Sequence, residues 1–200
     1  FTDTYVILDN LVLEGDWDSD GIYFSGTGTF SMNNTQISNF SNNGLDISGN
    51  NSYHNITNSE FSNCGSNGVH VGNYTDIQFD NCIFNNNDRG IFFNYNISTI
   101  IENSLFQNNS YGIYHSNGNI EFTVDNCEFL GNSNGLSIND SSTSSKEVTN
   151  SIFMNNNNYG FVSNYKQTNL INCKISNNQY GISGADEVKN CIINNNAQTG

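Results

Sequence analysis

Proline is absent from all 200 residues, and cations are nearly absent too: 5 Lys and Arg stand against 19 Asp and Glu, a formal charge of −14. The lack of proline excludes every family motif built around one. Five cations cannot neutralise a run of phosphates, so the composition argues against a protein that grips nucleic acid or anionic lipid. No apolar run approaches the ~18 residues of a membrane helix, so no membrane insertion of this segment is expected. No leader peptide is visible, and the first residue is Phe1 rather than Met, which reads as a mature product or as a piece of something longer.

Charged residues make up only 12% of the chain, so its polarity comes from elsewhere. Asparagine supplies it, with 42 copies, beside 18 glycines. Such a chain could be disordered, but an aromatic content of 12% argues for a packed core. The arrangement of the apolar residues decides the matter.

They recur. An Asn, a residue that is usually small, any residue and then a large apolar one appear at Asn10, Asn34, Asn58, Asn81, Asn103, Asn126, Asn150, Asn172 and Asn190, with gaps of 24, 24, 23, 22, 23, 24, 22 and 18. A glycine followed by an aliphatic or aromatic residue runs in step, at Gly21, Gly44, Gly68, Gly90, Gly112, Gly135, Gly160 and Gly181. A period of this length is the mark of a solenoid. Within each period the apolar residues alternate, which is strand spacing. They fall into three columns. One stands two before the Asn (Leu8, Met32, Ile56, Phe79 and so on), one three after it (Leu13, Ile37, Phe61, Phe84, Phe106, Phe129, Phe153), and one directly after the Gly (Ile22, Leu45, Val69, Ile91). Three columns predict three short strands per turn, stacked ~4.8 Å apart on their neighbours in parallel sheets. The motif Asn falls at a corner, where its tolerance of left-handed backbone is useful, and stacked amides can bond from rung to rung. A second Asn column stands five residues later, from Asn39 to Asn195, with Gly131 in one slot. The repeat Gly is expected to serve a positive-φ corner or a close approach of backbone.

Repeats such as Asn81-Cys82-Ile83-Phe84-Asn85-Asn86 followed by Gly90-Ile91-Phe92-Phe93 resemble those of right-handed parallel β-helix proteins of the pectin-lyase-like type. The resemblance covers essentially the whole chain. It implies an all-β fold, a right-handed parallel β-helix of about eight to nine rungs of 22–24 residues, in one domain over 1–200. That fold hosts polysaccharide lyases, hydrolases, epimerases, phage tailspikes and adhesins. The Asn- and Ser-rich, cation-poor composition is most similar to adhesin-like surface proteins of archaea and bacteria, which implies an extracellular, cell-surface location.

Candidate sites are few. Asp16, Asp18 and Asp20 precede Gly21 in a D-x-D-x-D-G pattern that could wrap oxygens around Ca²⁺, but Thr27 stands where a calcium loop carries its closing acid. The outward position two after each Gly reads Tyr23, Asp46, His70, Phe92, Tyr114, Ser137, Val162 and Ser183, and the position before the Gly includes Arg89, Tyr111, Tyr159 and Tyr180. These put aromatics on one face, a platform for sugar rings or another protein. Tyr23, Asp46, His70, Phe92, Tyr111 and Tyr114 are therefore the ligand-binding candidates. The resemblance places the polysaccharide cleft of the related enzymes on this same face. Catalysis has little to work with: Asp46 and His70 are the one titratable pair on adjacent rungs of that column, and the cations are scattered. The hydrolase motifs that the resemblance would bring are missing. The expectation is a protein that is not an enzyme.

Four of the five cysteines (Cys82, Cys127, Cys173, Cys191) share the column of Ser59, Ser104 and Ser151, which asks for a small buried side chain; Cys64 lies in another register. Cys173 and Cys191, on successive rungs, are spaced for a disulfide, though an odd total leaves a thiol over. His54, His70 and His115 lie on different rungs, and His115 takes an inward slot held elsewhere by Phe93 and Ile138. Among eight Asn-x-Ser/Thr sequons, Asn73 and Asn96 fall in the variable corner and are the best placed to carry glycans.

Neither end shows a cap. The bare strand edges predict an excerpt of a longer solenoid or copies stacked end to end. The expected function is a stiff, non-enzymatic surface stalk or filament subunit with adhesive contacts, partnered by copies of itself, neighbouring domains or surface glycans. The alternatives are a β-helix that binds or cleaves a polysaccharide, and a viral tailspike segment that would trimerise.

Overall fold

The computed structural model describes residues 5–17, 19–49, 52–140, 144, 146–165 and 167–198. These form a parallel β-solenoid with three sheets, of nine, nine and eight strands, each strand hydrogen-bonded to its counterparts one turn before and one turn after. The first turn sets the plan: Val6–Asp9 in the first sheet, Val12–Glu14 in the second, Ile22–Gly26 in the third. Among the described residues no helix is long and apolar enough to cross a membrane.

The register matches the three sequence columns. Leu8 pairs with Met32, Phe84 lies between Phe61 and Phe106, and Ile91 lies between Val69 and Ile113. Alternation then sends one set of side chains into the bore, where Met32, Phe61, Phe84, Phe106, Phe129, Phe153 and Phe161 are fully buried. Five of these phenylalanines stack face to face. From Phe61 to Phe153 the ring centroids are 5.4, 4.8, 4.8 and 4.6 Å apart, with planes within 8° of parallel. A residue repeated at one register forces identical rotamers, so the rings lie flat on each other at the rung spacing.

The corners between the first and second sheets are made by the motif asparagines, all in left-handed backbone with φ between 48° and 57°. The second column does the same from Asn39 to Asn195, and Gly131, with φ 64°, fills its remaining slot. The exposed motif amides form an interrupted ladder. Asn34, Asn81 and Asn126 donate to the motif Asn below, but Asn58, Asn103 and Asn150 reach to Asn33, Asp80 and Asp125 instead.

Of the two roles expected of the repeat glycines one holds, and one expectation about the cysteines is corrected. None of the eight repeat glycines adopts positive φ. They are required for close approach alone: a Cβ on Gly112 would stand 2.5 Å from the Gly135 carbonyl oxygen and 2.8 Å from the Phe129 ring. And all five cysteines are free thiols. Cys173 and Cys191 point the same way into the wall, each with its thiol directed at carbonyls of its own and the preceding turn, and the Cys173 N–H donates to the Cys191 sulfur at 3.4 Å. The shared Ser/Cys slot is a wedge that satisfies backbone, as Ser104 does by accepting from the Cys82 N–H and donating to the Glu102 carbonyl.

The strongest ladder is one that the repeat reading did not single out. Six residues after the motif Asn stand Asn87, Asn109, Asn132, Asn156, Asn178 and Asn196. From Asn87 to Asn178 each side-chain oxygen accepts both the backbone N–H and the amide of the member below, or, for Asn87, the Cys64 N–H. Each Nδ2 also donates to a carbonyl of the second-sheet strand below, as from Asn109 to Phe84. Asn87 to Asn178 are buried, and this is how the corner into the third sheet meets the need of its buried backbone groups for partners.

Candidate functional site

The outer face of the third sheet gathers the candidate ligand-binding residues into one strip. Parallel pairing sets Tyr23 beside Asp46, Asp46 beside His70, His70 beside Phe92, and Phe92 beside Tyr114. At the head of the strip Asp46 Oδ1 lies 3.1 Å from His70 Nδ1, with both side chains largely buried against the sheet, 17% and 22% exposed. A proton on Nδ1 facing the carboxylate leaves Nε2 as an acceptor. The His70 ring stacks on Phe92 at 5.3 Å, Phe92 on Tyr114 at 5.7 Å, and Tyr111 leans on Tyr114 at 4.9 Å.

Arg89 was not among the binding candidates, and it belongs there. It stands three residues before Phe92 on the same strand, and its guanidinium sits 5.1 Å from the Phe92 centroid and 5.4 Å from that of Tyr114. It donates to Asn67 Oδ1 at 3.3 Å and pairs with Asp88 at 3.5 Å. A polar row runs beside the aromatics: Asn67 donates to Asn43 at 2.6 Å, and Asn43 donates to Asp20 at 2.9 Å. Asn43 Nδ2 also reaches Asp46 Oδ2 at 3.5 Å. The strip therefore offers flat rings, one cation held over them, an imidazole nitrogen and amide groups along one edge. That combination can stack a sugar ring and hydrogen-bond its hydroxyls. Tyr23 is half exposed at one end. A second stack, Tyr159 on Tyr180 at 4.7 Å, lies on later rungs of the same sheet.

The acidic loop is differently used. Asp20 Oδ1 accepts from the Asn42 amide, the Asn43 backbone and the Asn43 amide at 2.7–3.0 Å, acting as a corner cap. Asp18 lies outside the described residues. Among the described residues, Asp16 and Asp20 included, no group of three or more His, Cys, Asp or Glu is placed to hold a metal ion.

The glycan candidates sit at the corner leading back to the first sheet. Asn73 and Asn96 are half-buried there, Asn73 Oδ1 accepting from the Asn96 N–H and Asn96 Oδ1 from the Asn119 N–H. Next to them Tyr74 and Tyr95 hold positive φ of 56° and 68° and are about half exposed.

Inside the bore three residues break the apolar pattern together. His115 is fully buried, as its slot predicts, with Nε2 3.2 Å from the Tyr95 carbonyl oxygen, and burial pushes its pKa down. Lys146, whose charge argues for solvent, takes an inward slot between Phe122 and Thr168. Its ammonium lies 2.6 Å from Asp140 Oδ2, and both side chains are almost completely buried. A lysine flanked by Ser and Glu carries no sequence signal of burial. Only its place in the register, opposite Phe122, could have given one.

The model for the right handed beta helix region matches residues 2–147, well over half of the chain. The chain belongs to that family. A comparison with curated proteins returns no match. Membership in the β-helix family supports a surface or polysaccharide-related repeat protein in general terms. The same fold serves enzymes and non-enzymes alike.

Proposed function

We propose that this β-helix is a non-enzymatic structural and adhesive element of an extracellular cell surface, working as a stiff rod. The observation that carries the reading is the Asn87–Asn178 ladder beside the Phe61–Phe153 stack. Both run unbroken along successive rungs, so bending the rod would break buried hydrogen bonds and ring contacts at once. Low charge and amide-rich corners suit a solvent-facing stalk. Its partners on this reading are further rungs, from a longer chain or a second copy, and surface glycans. Electron microscopy with solution mass tests it. Stiff rods, or filaments whose axial repeat matches nine rungs, roughly 40–45 Å, agree with the reading. Flexible particles refute it, and a stable trimer favours a tailspike.

One observation favours a second reading, a carbohydrate-active β-helix: Arg89 held over Phe92 and Tyr114, beside the Asp46–His70 pair. Glycan-array binding lost in a Phe92→Ala, Tyr114→Ala double variant supports it. Turnover of any bound glycan, abolished by Asp46→Asn, replaces the non-enzymatic reading outright.

A further inference from the structure

The Lys146–Asp140 pair is the least expected feature of the bore. Nearly every other inward slot on these rungs holds an apolar or neutral side chain. A buried ion pair carries a desolvation penalty, which its mutual attraction only partly offsets. The pair is also held for contact: Asp140 Oδ2 accepts from the Ile120 N–H at 3.3 Å, and Lys146 Nζ donates to the Ser144 carbonyl at 2.9 Å. His115 stands on the rung before, its backbone carbonyl accepting from the Asn139 N–H at 3.1 Å. His115 Nδ1 is buried with no hydrogen-bond partner.

We propose that Lys146 and Asp140 condense into an intramolecular amide. In a dry bore the ammonium can pass its proton to the carboxylate, giving a neutral amine beside a carboxylic acid, the two forms that react. The Nζ lone pair attacks Asp140 Cγ, forming the C–N bond. The C–OH bond then breaks, and the hydroxyl leaves as water with the proton shed by nitrogen. No oxidant or other reactant is needed. The product exchanges a buried ion pair for one neutral amide, removing the desolvation penalty, and it joins Asp140 to Lys146 with a covalent clasp.

Intact-mass measurement of the whole purified chain, unfolded and reduced, tests this without any variant. The expected mass is one water below the sequence mass, with trypsin failing to cut after Lys146 and fragmentation placing a branched link between Asp140 and Lys146. A full sequence mass with cleavage after Lys146 overturns the proposal. So does a lost water that maps elsewhere, such as a succinimide at another Asp. Lys146→Arg is expected to restore the full mass.

Discussion

Asn132 Oδ1 accepts from both the backbone N–H and the side-chain amide of Asn109, at 2.9 and 3.1 Å, one turn of the solenoid away. Asn132 is itself fully buried, and its own amide donates to the Phe106 carbonyl at 2.9 Å. Removing this side chain therefore orphans a buried backbone donor and takes a bond from a buried carbonyl together. Each costs roughly 1–3 kcal/mol, so Asn132→Ala is expected to destabilise the fold by about 3–5 kcal/mol in urea unfolding. Asn126→Ala, on an exposed corner of the same rung, loses only its left-handed preference and one solvent-facing bond to Asn103, a loss of about 1–2 kcal/mol. Equal losses at the two sites would contradict the assignment of the buried ladder as the stronger one.

Two glycines test the backbone argument in opposite directions. Gly112→Ala puts a methyl group against the Gly135 carbonyl oxygen, a backbone atom that cannot move without shifting its whole strand, and is expected to cost about 1–3 kcal/mol or more. Gly131 is different. Its φ of 64° matches the asparagines of its column, and a Cβ there meets only the Asn108 side-chain oxygen at 3.2 Å. Gly131→Asn is expected to stabilise by about 0.5 kcal/mol, because it restricts the unfolded chain and suits the native corner. Thermal melts of the two variants on either side of wild type are the expected result.

The repeat was legible because each rung solves the same steric problem. Asn34 and Asn126 share a backbone conformation, so they share a residue, and Phe84 and Phe106 share a rotamer and a stack. The same abundance hid the buried ladder. With 42 asparagines in the chain, Asn87 and Asn109 look like their exposed neighbours Asn86 and Asn108 until burial separates them. The outward strip was half legible: the register of Asp46, His70, Phe92 and Tyr114 follows from the glycine spacing. That Arg89 turns back over two rings depends on rotamers and on Asn67, which no spacing reports. Lys146 and Asp140 were invisible, because a charged residue reads as solvent-facing until a partner is known to meet it inside.

The thiol column sets an alkaline limit. Burial pushes Cys82 and Cys127 up to about 12, and Cys64 and Cys173 up to about 11, from an unfolded value of 9.0. A raised folded pKa means that the unfolded chain releases these protons first. Their contribution to stability is whole below pH 9 and is lost as the pH climbs from there toward 11–12. Urea midpoints should fall across that window. A Cys82→Ser, Cys127→Ser chain should show a shallower fall, at a cost near 1 kcal/mol per site, since Ser104 already fills the same slot. Native labelling by a thiol reagent should stop at the half-exposed Cys191, while the unfolded chain takes up label at all five cysteines.

His54 sets the limit at the acid end. It is fully buried, edge-on to the Phe24 ring at 5.5 Å, and its Nδ1 accepts from the Phe30 N–H at 3.0 Å. That bond fixes the neutral tautomer with hydrogen on Nε2. Burial pushes its pKa from 6.5 to about 4. The unfolded chain therefore takes up a proton that the folded one refuses. The stability due to neutral His54 is complete above pH 6.5, falls as the pH drops toward 4, and is gone below that. His54→Gln keeps an acceptor near the Phe30 N–H but does not titrate. The difference in urea midpoint between wild type and this variant should shrink steadily from pH 6.5 to 4, then stay level. A difference independent of pH would mean that His54 takes up its proton as readily in the fold as in the unfolded chain, and that burial does not hold it neutral.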